Sequence, residues 1–332
     1  MSTVSSVDLY RRMDHGLIPA VPVPCTGRGA IDAGAQAAYV DWMANQPVAG
    51  VAVWAHTGRG LRLTREQRLE VLRSWKNGLN AEQFIVVGVG GGLEHQEDFS
   101  AYLDSALRMA QDALDHGAHA LLVYPPRLFH HVAEVDDLIV DYHGRLAAFG
   151  APLILFYLYE AAGGFPYTPK ILRELLALPE VVGIKLATLD SVMTFQNVAN
   201  LLAEEFPHKL LITGEDRFLP YSLMCGARAA LIGMGAACCG LQHALLEAWF
   251  EGRATEFIQL SRKVDRLGQA VFVPPMEGYI RRMLWTLVHL GVIGRDSACD
   301  PWGPDLPESE FVALGRTLHA LGEIPAAAAS GD

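Results

Sequence analysis

One lysine of this chain stands where an ammonium group is out of place. Four of the five lysines among the 332 residues have polar neighbours, whereas Lys185 lies in the apolar run Val-Val-Gly-Ile-Lys-Leu-Ala at 181–187. Burial lowers the pKa of a lysine because the charged form loses its hydration. A neutral amine near pH 7 attacks a carbonyl carbon and forms a Schiff base, so Lys185 is the first candidate for catalysis.

A structural role for Lys185 is the alternative, since a lysine at a strand end also pairs with a neighbouring carboxylate. Tyr157 favours catalysis because it ends the preceding apolar run, 153–157. If both runs are parallel strands of a barrel, their carboxyl ends line the active site, and we expect the Tyr157 ring to project there. A phenol in that place relays protons, although an aromatic rim residue is common in any barrel.

Regularly spaced apolar runs supply the strands that would position these residues. The first six begin 29 to 36 residues apart, two more follow closely, and stretches of helical spacing separate them. The eight runs are 17–23, 51–54, 84–89, 120–124, 153–157, 182–186, 210–213 and 229–232. Parallel strands need crossover connections, which are usually helices. Eight such units in about 230 residues predict an α/β fold, the (β/α)₈ TIM barrel.

A doubly wound sheet is the alternative fold, but its glycine fingerprint is incomplete because Leu93 stands where the third glycine belongs. After the eighth run the sequence has helical spacing at 241–250, 255–267, 277–290 and 308–321. We therefore expect a barrel over 1–251 and a C-terminal helical appendage over 252–325. The Ala/Ser/Gly-rich end, 326–332, is expected to be a flexible tail.

The charge, the length of the apolar runs and the cysteine spacing disfavour several classes of protein. The chain has 26 basic and 37 acidic residues, a net charge of −11, and no basic cluster, which disfavours nucleic acids and anionic membranes as partners. No apolar run approaches the roughly 18 residues of a membrane span, and charges interrupt the N-terminal 16 residues. We expect a soluble cytoplasmic protein. Five cysteines without CxxC spacing indicate neither a disulfide framework nor a zinc site.

The order and spacing of several segments resemble the pyruvate-dependent class I aldolase superfamily of dihydrodipicolinate synthase and N-acetylneuraminate lyase. The likeness covers roughly 15–322. It rests on Gly-Leu-Ile-Pro-Ala at 16–20, Gly-Val-Gly-Gly at 88–91, Thr-Gly-Glu-Asp at 213–216 and Gly-Ile-Lys at 183–185, with Tyr157 twenty-eight residues before Lys185. The resemblance implies that Lys185 forms the imine and that Tyr157 is the proton-relaying phenol. No organic or metal cofactor is then called for, because the imine is itself the electron sink.

Ala-His-Thr-Gly at 55–58 resembles the family's Gly-Thr-Thr-Gly loop, which holds the substrate carboxylate. The resemblance assigns this role to the Thr57 hydroxyl and to the backbone of His56, and oriented amides at such a turn do bind anions. It also implies that the backbone carbonyl of Leu231 lies behind the substrate. The family further implies a homo-oligomer, a dimer or a tetramer.

Departures from the family pattern argue against lysine biosynthesis. Ala162 replaces a carboxylate-binding arginine, and Arg127-Leu128 replaces a Tyr-Tyr pair that includes a relay tyrosine lent by a neighbouring subunit. In the altered segment Tyr-Leu-Tyr-Glu at 157–160, Glu160 is a candidate partner for His56 in a second acid/base pair. Pairing of Glu160 with a rim arginine such as Arg127 is equally open.

The sequence therefore favours a Schiff-base lyase acting on pyruvate or another 2-oxo acid, by aldol cleavage, condensation or dehydration. Two alternatives stay open. One is a metal-dependent barrel lyase with ligands His56, Glu160, Glu215 and Asp216. The other is a 2-oxo acid binding or sensing protein that has lost turnover; the presence of both Lys185 and Tyr157 favours the enzyme over it.

Overall fold

Eight parallel strands form the core of the computed structural model, which describes residues 4–95, 98–129, 135–189 and 191–325. Their sheet order is β1-β8-β7-β6-β5-β4-β3-β2. An isolated parallel bridge between Ala20 and Ala52 joins the two edges, so the barrel is nearly closed. The TIM-barrel prediction is thus confirmed. The strands are β1 Leu17–Pro19, β2 Gly50–Val53, β3 Phe84–Val89, β4 Ala120–Val123, β5 Leu153–Leu158, β6 Val181–Ala187, β7 Leu210–Thr213 and β8 Ala229–Ile232.

Helices cover the outside of the barrel. The helices that precede β8 in the chain are α1 Ser6–Met13, α2 Ala33–Ala44, α3 Arg65–Gly78, α4 Phe99–Asp115, α5 Asp136–Ala147, α6 Pro169–Leu176, α7 Val192–Glu205 and α8 Leu219–Met224. Local signals fix several starts: Thr64 and Gln67 form a reciprocal capping box at α3, and Thr168 caps α6 with Pro169 at its first position. No helix of the described ranges is both long and apolar enough to cross a membrane.

The C-terminal region is helical, as expected, and packs on the barrel's last helix. It contains α9 Cys239–Phe250, α10 Ala254–Val271, α11 Tyr279–His289 and α12 Glu308–Leu321. The α10 helix contacts both α9 and α12, which ties this region to the barrel. The domain boundary at 251/252 remains a prediction, and the expected tail at 326–332 lies outside the described residues. The five cysteines are free thiols.

A register shift between β5 and β6 decides which side chains face the barrel interior. Successive residues of a strand point to opposite faces. In β6, Val182 has no partner in the register opposite Leu153 and Ile154 of β5. Beyond this irregularity, Phe156 lies opposite Lys185 and Tyr157 lies opposite Leu186. Phe156 packs in the interior cluster of the barrel, whereas Tyr157 packs in the outer layer against the helices.

Candidate active site

Lys185 lies near the end of β6 and faces a cavity of about 40 Å³ at the carboxyl end of the barrel. The side chain is only 5% exposed. Its Nζ lies 4.2 Å from the centroid of the Phe156 ring, so the ring face contacts the amine. Gly214 lets the lysine pass, because a Cβ on that residue would lie 2.7 Å from the Lys185 Cε. The other walls include His56, Thr57, Leu158, Tyr159, Glu215, Asp216, Gly233, Phe272 and Tyr279.

Two buried carboxyl groups follow β7 and face the lysine. Burial lowers the pKa of Lys185 to about 8, although the negative charges of Asp216 and Glu215 act to raise it. Burial likewise raises the pKa of each carboxyl group to about 7. Asp216 accepts a hydrogen bond from the backbone N–H of Met234 at 2.6 Å, which holds its carboxyl group in place. Lys185 and Asp216 therefore titrate as an interacting pair near neutral pH.

Glu215 is anchored behind this pair. Its Oε1 accepts hydrogen bonds from the backbone N–H of Thr188 and, at 2.9 Å, from the Thr188 hydroxyl. Its Oε2 accepts a third from the backbone N–H of Leu189 at 3.2 Å. These donors fix the carboxyl group at the ends of β6 and β7, so its charge acts on Lys185 without a direct ion pair between them.

Tyr157 packs in the layer between the strands and the helices and is not among the residues that line the cavity. Its ring meets the edge of Tyr167 at 5.8 Å in the layer between strands and helices. The reason is the strand alternation, since Tyr157 shares a register position with the outward-facing Leu186. The relay role implied for Tyr157 stays a prediction. Tyr159, just beyond β5, lines the cavity instead.

Glu277 links the barrel mouth to the C-terminal region. Its Oε1 accepts a hydrogen bond from Tyr159 Oη at 3.3 Å and lies 2.9 Å from His56 Nε2. Arg59 donates to its Oε2 at 2.6 Å and to both oxygens of Asp300, at 3.2 and 2.7 Å. Burial acts to raise the pKa of Glu277, but the hydrogen bond and charge of His56 and the charge of Arg59 hold it at about 2. Glu277 is therefore a carboxylate at neutral pH.

Sequence patterns did not find Glu277 or Tyr279, because both lie at the predicted start of a C-terminal helix, where acidic residues are common. Tyr279 Oη lies 2.9 Å from Thr57 Oγ1, and its ring stacks on Phe272 at 4.4 Å. One available signal was Pro-Pro at 274–275, which marks a chain reversal before the helix.

The structure places the expected carboxylate loop at the cavity. His56 and Thr57 follow β2 and line the cavity, and Gly233 after β8 faces the threonine, since a Cβ there would lie 3.3 Å from Thr57 Oγ1. Leu231 is fully buried in β8 opposite Ile18, inside the barrel. His56, Thr57 and Gly233 thus lie together in the wall of the Lys185 cavity, while a role for the Leu231 carbonyl stays a prediction.

Comparison with known proteins identifies the family. The model of the dihydrodipicolinate synthetase family matches residues 13–320. The chain belongs to this family. A putative 2-dehydro-3-deoxy-D-gluconate aldolase, YagE of Escherichia coli, is 24% identical over 238 residues, 71% of this chain and 74% of that protein. The 4-hydroxy-tetrahydrodipicolinate synthase of Prochlorococcus marinus is 22% identical over 279 residues, 82% of this chain and 86% of the relative.

Solved structures have the same fold. YagE in complex with pyruvate aligns with a TM-score of 0.78 and 20% identity, covering 92% of this chain and 98% of YagE. The wild-type Ruminococcus gnavus sialic acid aldolase aligns with a TM-score of 0.79 and 16% identity, covering 94% and 99%. The resemblance inferred from the sequence is confirmed, and the chain is a lyase of the dihydrodipicolinate synthetase family.

Glu160 is not among the residues that line the Lys185 cavity. It is exposed at the start of a short turn, Glu160–Ala162, whereas His56 contacts Glu277. The carboxylate that contacts His56 is thus Glu277, and a role for Glu160 stays a prediction. Within the described ranges no group of three or more His, Cys, Asp or Glu side chains is arranged to hold a metal ion. The four ligands of the metal hypothesis, His56, Glu160, Glu215 and Asp216, accordingly do not form one cluster.

Proposed function

We propose that this enzyme is a class I lyase that binds pyruvate or another 2-oxo acid as an imine on Lys185. The observation that carries the proposal is a buried amine with a pKa of about 8, facing a cavity at a strand end. At pH 7 roughly a tenth of such an amine is neutral, against about one part in 3,000 at the usual lysine pKa. The neutral fraction supplies the nucleophile.

Imine formation needs a proton donor near the lysine. The Nζ lone pair forms the C–N bond, and the carbonyl oxygen takes up one proton from the nitrogen and one from the donor. The C–O bond then breaks and the oxygen leaves as water. Asp216, whose pKa of about 7 keeps it partly protonated, is our candidate for this donor. The product is a protonated imine, a cation, which the face of the Phe156 ring stabilises.

Carbon chemistry follows from the imine. Loss of a proton from the carbon next to the imine gives an enamine, which adds to an aldehyde in condensation. Cleavage is the reverse, and loss of a hydroxyl group from the adjoining carbon gives dehydration. Tyr159, hydrogen-bonded to ionised Glu277, is our candidate for the phenol that moves these protons. The Thr57 hydroxyl and the backbone amides of its loop would bind the substrate carboxylate.

Two finer expectations accompany the proposal. A cytoplasmic location and a dimeric or tetrameric assembly remain predictions, and light scattering on purified protein tests the second. The family's lent tyrosine has no counterpart in Arg127-Leu128, so the proposed chemistry uses groups of one chain.

Exchange of the pyruvate methyl protons in D₂O, followed by NMR, tests the proposal without knowledge of the second substrate. Enamine formation replaces these protons with deuterium, so the wild-type protein should accelerate the exchange. Lys185→Arg should abolish the acceleration because arginine forms no imine. Lys170→Arg, at an exposed lysine on α6, is the matched control and should retain it. Undiminished exchange with Lys185→Arg would overturn the proposal.

A further inference from the structure

A second cavity of about 210 Å³ adjoins the Lys185 cavity, and His56 and Leu158 lie in the walls of both. Three arginines, Arg59, Arg62 and Arg127, line the second cavity, together with the carboxylate of Glu277. This concentration of positive charge is local, since the whole chain carries a net charge of −11. The function proposed above assigns no role to Arg62 or Arg127.

The three arginines differ in whether a carboxylate pairs with the guanidinium charge. Arg59 is 9% exposed and is fully engaged by Asp300 and Glu277. In the part of the chain that the structure describes, neither Arg62 nor Arg127 has a carboxylate within 4.0 Å of its guanidinium. Among the described residues, no carboxylate competes with a ligand for the donors of these two guanidinium groups.

Small residues leave room for the Arg127 side chain along the cavity wall. Gly163 lies against its guanidinium, where a Cβ would collide with the Nε and Cζ atoms. Gly163 has a φ of +89°, which glycine adopts without strain. Ala161 and Ala162 continue this wall. The loop after β5 thus makes space for an arginine that comes from the loop after β4.

We propose that this second cavity binds an anionic group, a carboxylate or a phosphate, at the far end of a substrate whose near end is the 2-oxo acid on Lys185. Planar guanidinium groups bind both anions through paired hydrogen bonds. The shared wall at His56 and Leu158 gives the path between the two ends. The inference rests on the proposed function, because the imine fixes the near end, and it narrows the substrate class to 2-oxo acids with a second anionic group.

Matched pairs of 2-oxo acids test this specificity. 2-Oxoglutarate and 2-oxovalerate both have five carbons and differ in ending with a carboxylate or a methyl group. Borohydride traps each imine, and the half-saturating concentration is read from the mass added to Lys185. We expect 2-oxoglutarate to saturate at a concentration at least tenfold lower than 2-oxovalerate, as a charge-assisted hydrogen bond would give.

Substitution of the arginines should remove that preference. In the double variant Arg62→Gln, Arg127→Gln we expect the ratio of half-saturating concentrations to fall to within about twofold of unity, and Arg62→Lys, Arg127→Lys should restore part of it. Arg316→Gln, on α12 and outside both cavities, should keep the wild-type ratio. Competition by inorganic phosphate or by glutarate in the wild type distinguishes a phosphate from a carboxylate ligand.

Failure of this inference and failure of the proposed function give different results. If pyruvate labels Lys185 but the two matched acids saturate at equal concentrations, the cavity inference is wrong and the imine proposal stands. If no 2-oxo acid labels Lys185, the imine proposal is wrong. Calorimetric titration of Lys185→Ala with the same two acids still tests the cavity in that case, because no imine is needed. Equal affinities there would overturn the inference.

Discussion

Phe156 lies opposite Lys185 across the β5–β6 pair, and its ring face is 4.2 Å from the lysine Nζ. The contact partly offsets the effect of burial on the pKa of Lys185, because an aromatic face attracts the ammonium form whereas burial favours the neutral amine. The tyrosine next to it on β5 points into the layer of helices. The phenol of the cavity therefore comes from Tyr159, beyond the end of β5.

Tyr159 and Tyr157 form a matched pair for mutagenesis. Tyr159→Phe removes the hydroxyl that donates to Glu277 and should slow pyruvate proton exchange by about 10²- to 10⁴-fold, as loss of a general acid or base does. Tyr157→Phe should leave the exchange rate within a few-fold of wild type, because Tyr157 is not among the residues that line the cavity. The reverse order of effects would show that the strand register of β5 is wrong.

The rate of imine trapping should depend on pH through the Lys185–Asp216 pair. Only the neutral amine reacts, so the rate should fall tenfold per pH unit below the lysine pKa of about 8. Because the charge of Asp216 raises that pKa, Asp216→Asn should move the inflection to lower pH. Glu215→Gln should move it in the same direction by less, because Asp216 acts on Lys185 more strongly. An inflection near 10.5 in the wild type, the ordinary lysine value, would contradict the burial of Lys185.

Gly214 gives a steric test of the same amine. Gly214→Ala places a Cβ 2.7 Å from Lys185 Cε and 2.8 Å from the Leu186 carbonyl oxygen, so the lysine must move. We expect trapping at Lys185 to fall by at least tenfold, since a displacement of about 1 Å costs that much or more. Gly240→Ala, in α9 with open space around its position, should keep both trapping and thermal stability. Equal trapping by the two variants would contradict the position of the lysine.

Glu277 should make the folded state sensitive to acid. Its pKa is about 2 in the folded protein against an ordinary 4.5, so its ionised form stabilises the fold above pH 4.5, and this contribution is lost as the pH falls through about 2. Glu277→Gln should therefore unfold more easily than wild type at pH 6, with a difference in unfolding free energy that shrinks towards pH 2. Denaturant titrations at several pH values measure it. A difference independent of pH would mean that His56 and Arg59 do not act on this carboxylate.

The sequence was a good guide to the strands and to the lysine. Apolar runs bounded by polar segments mark strands in any parallel sheet, and a lysine inside such a run is unusual enough to be noticed. Seven of the eight predicted runs end within one residue of the observed strand end, and 84–89, 210–213 and 229–232 coincide with β3, β7 and β8.

The orientation of Tyr157 could not be read from the sequence in the same way. The two-residue period of side chains is certain only when the register is known, and the irregularity opposite Leu153 changes which β5 residue meets Lys185. The partner of His56 could not be predicted from the sequence for a different reason. Glu277 lies 221 residues further along the chain and reaches the barrel mouth only through tertiary packing of the C-terminal helices.

In the proposed reaction a single amine, that of Lys185, forms the bond to the substrate. Reduction with borohydride in the presence of pyruvate, followed by proteolysis and mass spectrometry, measures it directly. We expect a single modified peptide, with the added mass on Lys185, and no modification of Lys170, Lys76, Lys209 or Lys263. Mass on another lysine with none on Lys185, or no added mass with pyruvate and every other 2-oxo acid tried, would contradict it.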